Sequence, residues 1–221
     1  MPERIIWPFS RLYDRYPNRI FTKWFRAIAK NIKDKQIGGV ILDVGTGPGR
    51  LPIEIAKQLD NVEVFGIDLS EDMVKIAKRH AEEAGLADRV KFKVASAYRT
   101  GFEGNSIDLV VSTGMIHHLN EPIRAFNEMF RILKPGSEAW IYDGRKDVTK
   151  AEFEETVRSL GLKEDISLPL WFIERVWPHW HVGCKTEVYV SGKIGKALKE
   201  SLFKNYSVNN EGAYVKIVLV K

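Results

Sequence analysis

Two hydrophobic periods alternate along the chain. Val40-Ile41-Leu42-Asp43-Val44 is a short, nearly continuous apolar run closed by Gly45. This is the pattern of a strand buried on both faces of a parallel sheet. Comparable runs at 62–67, 90–94, 107–112 and 139–142 predict four more strands, and 206–209 and 214–220 read as two closing strands around Asn210-Glu211-Gly212. Between the runs, apolar residues recur every three or four positions and predict helices over 50–58, 71–84, 122–133, 150–160 and 193–204. Ser70 is placed to cap the second of these and Gly85 to end it. A longer helical stretch, 9–34, comes first and is broken at Tyr16-Pro17. After the break, Ile20, Phe21, Trp24, Phe25, Ile28, Ala29 and Ile32 form an apolar stripe opposite Arg19, Lys23, Arg26, Lys30 and Lys33.

Strands alternating with helices predict an α/β fold: a doubly wound, mostly parallel, seven-stranded sheet with helices on both faces. Ligands of such sheets bind beyond the carboxyl ends of the strands. The residues that follow each strand are therefore the ones to weigh.

After the first strand comes Asp43-Val44-Gly45-Thr46-Gly47-Pro48-Gly49-Arg50. Glycines at 45, 47 and 49 allow positive φ and close approach of a ligand to the main chain, and the next helix opens with unsatisfied N–H groups. A dinucleotide fingerprint would want a glycine where Arg50 stands. Asp43 would repel a pyrophosphate and welcome an ammonium or sulfonium, which argues against a nicotinamide dinucleotide. Asp68 ends the second strand, 23 residues after Gly45, where an acid can accept both hydroxyls of a ribose. It could equally be an acid at a helix start.

Residues 40–49, 65–70 and 106–112, His117-His118-Leu119 and Leu133-Lys134-Pro135-Gly136 occur in this order. Together they resemble the class I S-adenosylmethionine-dependent methyltransferases, and more narrowly the small-molecule branch that includes quinone-biosynthesis C-methyltransferases. The resemblance covers roughly residues 38–145 and implies a Rossmann-like methyltransferase fold with S-adenosyl-L-methionine as cofactor. It implies that Asp43, Gly45, Thr46, Gly47 and Gly49 hold the methionine end and Asp68 the ribose. Leu69 and Met73 would lie beside the adenine, with Ser96, Ala97 and Tyr98 at its edge. Thr113 and Gly114 would offer main-chain carbonyls to the ammonium. Ser96 stands where the family commonly has an aspartate, so it would accept the adenine amino group more weakly. The sequence Thr113-Gly114-Met115-Ile116 replaces the Asn/Asp-Pro-Pro-Tyr motif of enzymes that methylate adenine or glutamine nitrogens, which demotes those activities. The resemblance also suggests one domain in three parts: a helical cap (1–37), a cofactor-binding core (38–145), and an acceptor-side insertion with closing strands (146–221).

Methyl transfer from a sulfonium needs a base only when the acceptor must lose a proton. Candidates are His117 and His118, whose imidazoles titrate near neutrality, and Tyr13 in the N-terminal cap, which in similar enzymes covers the methyl group. Either histidine could instead simply pack beside the cofactor. The segment 168–184 holds three of the six tryptophans and reads as an aromatic lid over a planar acceptor, or else as packing or a homodimer surface. His179-x-His181-x-x-Cys184 lacks an evident fourth ligand, so no metal is expected.

Composition adds bounds. The 221 residues are 44% hydrophobic and 29% charged, which excludes disorder or a fibrous chain. The single cysteine excludes an internal disulfide. No apolar run is long enough to span a bilayer, and residues 1–10 carry Glu3 and Arg4 with no apolar core of a signal peptide. A cytoplasmic protein is expected. Residues 1–40 hold nine basic and three acidic side chains, and 185–221 hold seven and three. These basic ends suggest an anionic partner. The expected acceptor is a small molecule, aromatic or anionic. Alternatives are a methyltransferase of RNA or protein, with nucleic acid not favoured, or a non-catalytic S-adenosylmethionine-binding subunit. If Tyr13 points to the methyl site, Tyr13→Phe should lower turnover while leaving cofactor binding intact. Normal turnover would remove it.

Overall fold

A computed structural model describes residues 18–160 and 183–221. One sheet organises them. Its strands are β1 (Gly39–Val44), β2 (Val62–Asp68), β3 (Val90–Val94), β4 (Ile107–Thr113), β5 (Leu133–Arg145), β6 (Gly183–Cys184), β7 (Asn205–Glu211) and β8 (Tyr214–Val220). The order is β3-β2-β1-β4-β5-β8-β7, with the two-residue β6 also on β5. The pairs from β3 to β5 are parallel, and β8 and β7 close the sheet antiparallel. This is the expected seven-stranded, mostly parallel sheet, with β6 as an addition.

The helices are α1 (Asn18–Asp34), α2 (Arg50–Gln58), α3 (Glu71–Glu83), α4 (Pro122–Ile132), α5 (Lys150–Ser159), α6 (Thr186–Val190) and α7 (Lys193–Glu200). A single 3-10 turn spans Ile116–His118. Central strands carry apolar residues on both faces because both faces are covered. Ile41, Val64, Leu109 and Val111 join the layer that holds Trp24, Ile28 and Ile32 of α1 and Leu51 and Ile55 of α2. Leu42, Val44, Val110 and Ile141 join the opposite layer with Phe126 and Met129 of α4 and Leu198 of α7. β8 alternates buried Val215, Ile217 and Leu219 with half-buried neighbours, whereas β7 is an exposed edge.

Several boundaries differ from those read in the sequence. β5 starts at Leu133, directly after α4, and runs to Arg145, much longer than the expected 139–142. Lys134-Pro135-Gly136 therefore belongs to the strand, where a register shift between Ile107 and Leu109 absorbs it. α7 ends at Glu200, not at 204. α6, β6 and the 3-10 turn were not expected: each is too short to show a period. The part of the 9–34 helix before Asn18 lies outside the described residues.

Near the site, Gly49 caps α2 with φ +76°. A Cβ there would lie 2.6 Å from Phe92 and 2.7 Å from the Ala77 methyl. Gly49→Ala should therefore combine left-handed strain with overpacking and lower stability by about 2–4 kcal/mol. Urea unfolding monitored by tryptophan fluorescence checks this, and a loss below about 0.5 kcal/mol would contradict it.

Candidate cofactor site and comparisons with known proteins

The carboxyl ends of β1, β2 and β4 meet at the glycine loop. Ile67 O of β2 accepts the N–H groups of both Gly45 and Thr46 at 2.9 Å. Asp68 completes the tie: Oδ2 accepts the Gly47 N–H at 2.9 Å and Oδ1 the Ser70 N–H at 2.8 Å. Ser70 then caps α3, its hydroxyl accepting the Met73 N–H at 3.4 Å. On the other side, the Ser112 hydroxyl of β4 donates to Val44 O at 2.8 Å. Gly45 makes room for Met115, since a Cβ at position 45 would lie 2.5 Å from Met115 Cγ. The loop is thus held from β2 and from the turn after β4.

Asp43 is 1% exposed at the end of β1. Its Oδ1 and the buried Thr46 Oγ1 have no hydrogen-bond partner among the described residues. Burial pushes the Asp43 carboxyl up to about 7; the nearby Thr46 hydroxyl opposes this without hydrogen-bond geometry, and the charge of Asp68 adds to the rise. Burial also raises Asp68, against the lowering by its backbone N–H donors. Two raised acids, one of them raised in part by the other's charge, mark a corner suited to a cation. An ammonium or sulfonium group would satisfy both orphaned oxygens, so the residues present fit the methionine end of S-adenosylmethionine.

The remaining candidates are distributed around this corner. Leu69 is 40% exposed beside Asp68, a free apolar surface, whereas Met73 is buried in the first turn of α3. Ser96, Ala97 and Tyr98 follow β3, and Ser96 Oγ accepts the Tyr98 N–H at 3.2 Å. The Tyr98 hydroxyl accepts the N–H groups of Asn120 and Glu121 ahead of α4, at 3.1 and 3.2 Å. It props that helix. Thr113 ends β4, and Gly114 follows with φ +63° and open space where a side chain would stand.

His117 and His118 lie in the 3-10 turn with ring centroids 3.9 Å apart. The side chain of His117 is buried against Asp143 of β5, with Nδ1 2.7 Å from Oδ1. Asp143 was not anticipated: in the sequence it looks like the polar end of a core strand, and only the β4–β5 register brings it to the turn. Tyr13 and most of the aromatic segment, His179 and His181 included, lie outside the described residues. Cys184 is half-buried, and burial followed by the Asp143 charge pushes its thiol up, which disfavours a nucleophilic thiolate. Among the described residues, no group of three or more His, Cys, Asp or Glu could hold a metal, and no helix is long and apolar enough to cross a membrane.

The basic face of α1 has acidic partners. Arg26 pairs with Glu54 at 3.0 Å, Lys30 with Asp34 at 2.6 Å, and Lys35 of the following loop with Glu138 at 3.8 Å. The charge excess near the amino end is therefore partly neutralised in the fold.

The strand order is that of the class I methyltransferase fold. Comparison with known proteins agrees. Residues 41–136 match the family model of the methyltransferase domain. A ubiquinone/menaquinone biosynthesis C-methyltransferase UbiE of Geobacter sulfurreducens is 32% identical over 149 residues, 64% of this chain and 58% of that protein. Phosphoethanolamine N-methyltransferase 1 of Arabidopsis thaliana is 35% identical over 126 residues, 56% of this chain and 25% of that protein. A crystal structure of a putative S-adenosyl-L-methionine-dependent methyltransferase from Methanococcus maripaludis superposes with TM-score 0.73 at 25% identity, covering 96% of this chain and 91% of that one. The match thus spans less than two thirds of the length of the UbiE relative. Residues 41–136 are similar to a methyltransferase domain, and the chain has a class I methyltransferase fold.

The Asp43 shift gives a prediction. A carboxyl whose folded pKa is raised holds its proton more tightly in the native state, so its contribution to stability falls as pH climbs from about 4 through about 7. Asp43→Asn should therefore unfold like the wild type near pH 4.5 and at a higher temperature at pH 8. Thermal unfolding at the two pH values checks this, and an equal or larger gain at pH 4.5 would contradict it.

Proposed function

We propose that the chain transfers a methyl group from S-adenosylmethionine to a small-molecule acceptor. The observation that carries this reading is the corner formed by Asp43, Thr46 and Asp68 at the glycine loop: two acids raised by burial, and two buried oxygens without a hydrogen-bond partner among the described residues. The cofactor supplies an electrophilic methyl on a sulfonium, a displacement that needs little help beyond alignment. Asp43 and Thr46 hold its methionine end. Asp68 keeps lone pairs for the ribose hydroxyls beyond its two backbone donors. Leu69 offers an apolar surface to the adenine, and the Ser96–Tyr98 turn lies at its edge. Gly114 leaves room for the methionine end, and the turn that bears His117 and His118 faces the acceptor.

The relatives named C-methyltransferase and phosphoethanolamine N-methyltransferase act on small molecules by their names, which supports a small acceptor here. The paired basic face of α1 offers less to a polyanion than its composition suggests. Residues 38–145 would bind the cofactor, and the flanking parts would choose the acceptor.

Calorimetric titration should show binding of S-adenosylmethionine and none of NADH. Asp68→Ala removes charge-assisted bonds to the ribose and should weaken binding by roughly 10–100-fold. Labelled methyl should then appear on phosphoethanolamine or demethylmenaquinone, the two acceptor chemistries of the relatives' names. Binding of NADH but not S-adenosylmethionine would overturn the reading. Cofactor binding with no transfer to any small acceptor would favour the non-catalytic alternative.

A further inference from the structure

Helices α1 and α2 meet in an open groove of about 490 Å³, lined by Arg26, Ala27 and Lys30 of α1 and by Glu54, Lys57 and Gln58 of α2. The groove is remote from the cofactor corner. Gly49 caps α2 at the glycine loop, whereas Lys57 and Gln58 end that helix about 12 Å further along.

One buried acid organises the groove. Glu54 is 7% exposed. Its Oε2 accepts the Arg26 Nε–H at 3.0 Å, and its Oε1 accepts a Lys57 Nζ–H at 3.0 Å. The Gln58 amide donates to the Arg26 carbonyl at 3.1 Å and ties the two helices at the same place. A carboxylate this buried needs charged donors, and it orients both of them. One positive charge would neutralise it. The lining holds three, on Arg26, Lys30 and Lys57, against that single negative charge. Asp34, outside the lining, pairs with Lys30 at 2.6 Å. Both of those side chains are more than half exposed, where such a pair contributes little.

We propose that this groove binds the phosphoryl group of a small phosphorylated molecule, at a site separate from the cofactor corner. Its donors are open to solvent: the side chains of Arg26, Lys30 and Lys57 are 59%, 69% and 46% exposed. Arg26 gives Glu54 only its Nε–H, and its Nη1 and Nη2 groups have no acceptor among the described residues. That end of the guanidinium is a rigid fork, suited to two phosphate oxygens at once. Lys30 and Lys57 each spend one of three N–H groups on a carboxylate and keep the others for a third oxygen.

The ligand class follows from matching charge and size. A carboxylate, with one charge and two oxygens, would be met by Arg26 alone. A phosphoryl group, with nearly two charges and three strong acceptors, uses all three cations. The volume falls in the range of small-molecule sites, roughly 300–1,000 Å³, and exceeds what a lone phosphate fills. The ligand therefore carries a second phosphoryl or an organic part. Six residues on two helices make one compact groove, not a stripe, which suits a small ligand better than a long polyanion.

Pyrophosphate and inorganic phosphate are the probes, titrated calorimetrically at one ionic strength and followed by ¹H–¹⁵N spectra. Pyrophosphate should bind with 1:1 stoichiometry, more tightly than phosphate, and without competing with S-adenosylmethionine. It should shift the Ala27 main-chain and Gln58 side-chain amide signals. Lys30→Gln, which removes only an exposed pair, and Lys57→Gln should each weaken it by roughly 3–10-fold. Arg26→Lys keeps the charge but loses the fork, and should weaken it by a similar factor. Lys196→Gln, at an exposed position on α7 in the opposite layer, should leave binding unchanged. Absence of saturable binding, or an equal loss in Lys196→Gln, would overturn the proposal. So would displacement of pyrophosphate by S-adenosylmethionine, which would put the anion at the cofactor corner. Phosphate binding as tightly as pyrophosphate would make the free ion the ligand and overturn the claim for a larger molecule. A single-stranded oligonucleotide that binds more tightly than pyrophosphate, with the same dependence on Arg26, Lys30 and Lys57, would overturn it in favour of nucleic acid.

Discussion

The Asp68 carboxylate is the contact on which the site depends. One oxygen takes the Gly47 N–H of the loop after β1, and the other takes the Ser70 N–H that opens α3. Charge-assisted bonds of this kind are roughly twice as strong as neutral ones. With Ile67 O taking two more N–H groups, they fold the loop back onto β2. The loop in turn closes over Asp43, and that closure leaves an acid buried with an unpartnered oxygen. The burial of Asp43 is therefore a consequence of how the loop is tied down. The corner is less stable than a neutral one would be, and the sheet around it supplies the stability that makes this tolerable.

Most of the fold was legible because its signals are local. Continuous apolar runs marked β1, β2 and β4, which are covered on both faces. β3, Val-Lys-Phe-Lys-Val, shows alternation instead, and β8 is a mostly apolar run interrupted by Lys216. The glycine loop and the acid that ends β2 were legible because three spaced glycines after one apolar run and an acid closing the next are local signals. The limits of β5 were not, because Lys134-Pro135-Gly136 reads as a helix stop while the register shift against β4 absorbs it into the strand. Asp143 escaped for a related reason. Its role comes from a residue 26 positions earlier, through strand pairing that no local pattern reports.

Other expectations shifted in meaning. Tyr98, expected at the adenine edge, also props α4, its hydroxyl accepting two main-chain N–H groups. Met73 is buried, so of the pair placed beside the adenine only Leu69 presents an open surface. The basic stripe of α1 hinted at an anionic partner, yet Glu54 and Asp34 meet two of its cations. Charge counted along a chain carries no information about such pairing.

Burial raises the Asp43 carboxyl to about 7, so it holds a proton over part of the neutral range. Calorimetric titration with S-adenosylmethionine at pH 6.5, in buffers of different ionisation enthalpy, measures protons exchanged on binding. A cation placed beside Asp43 lowers its pKa from about 7, so binding should release a sizeable fraction of one proton. The release should vanish in Asp43→Asn. Binding without proton exchange, or with proton uptake, would contradict the account.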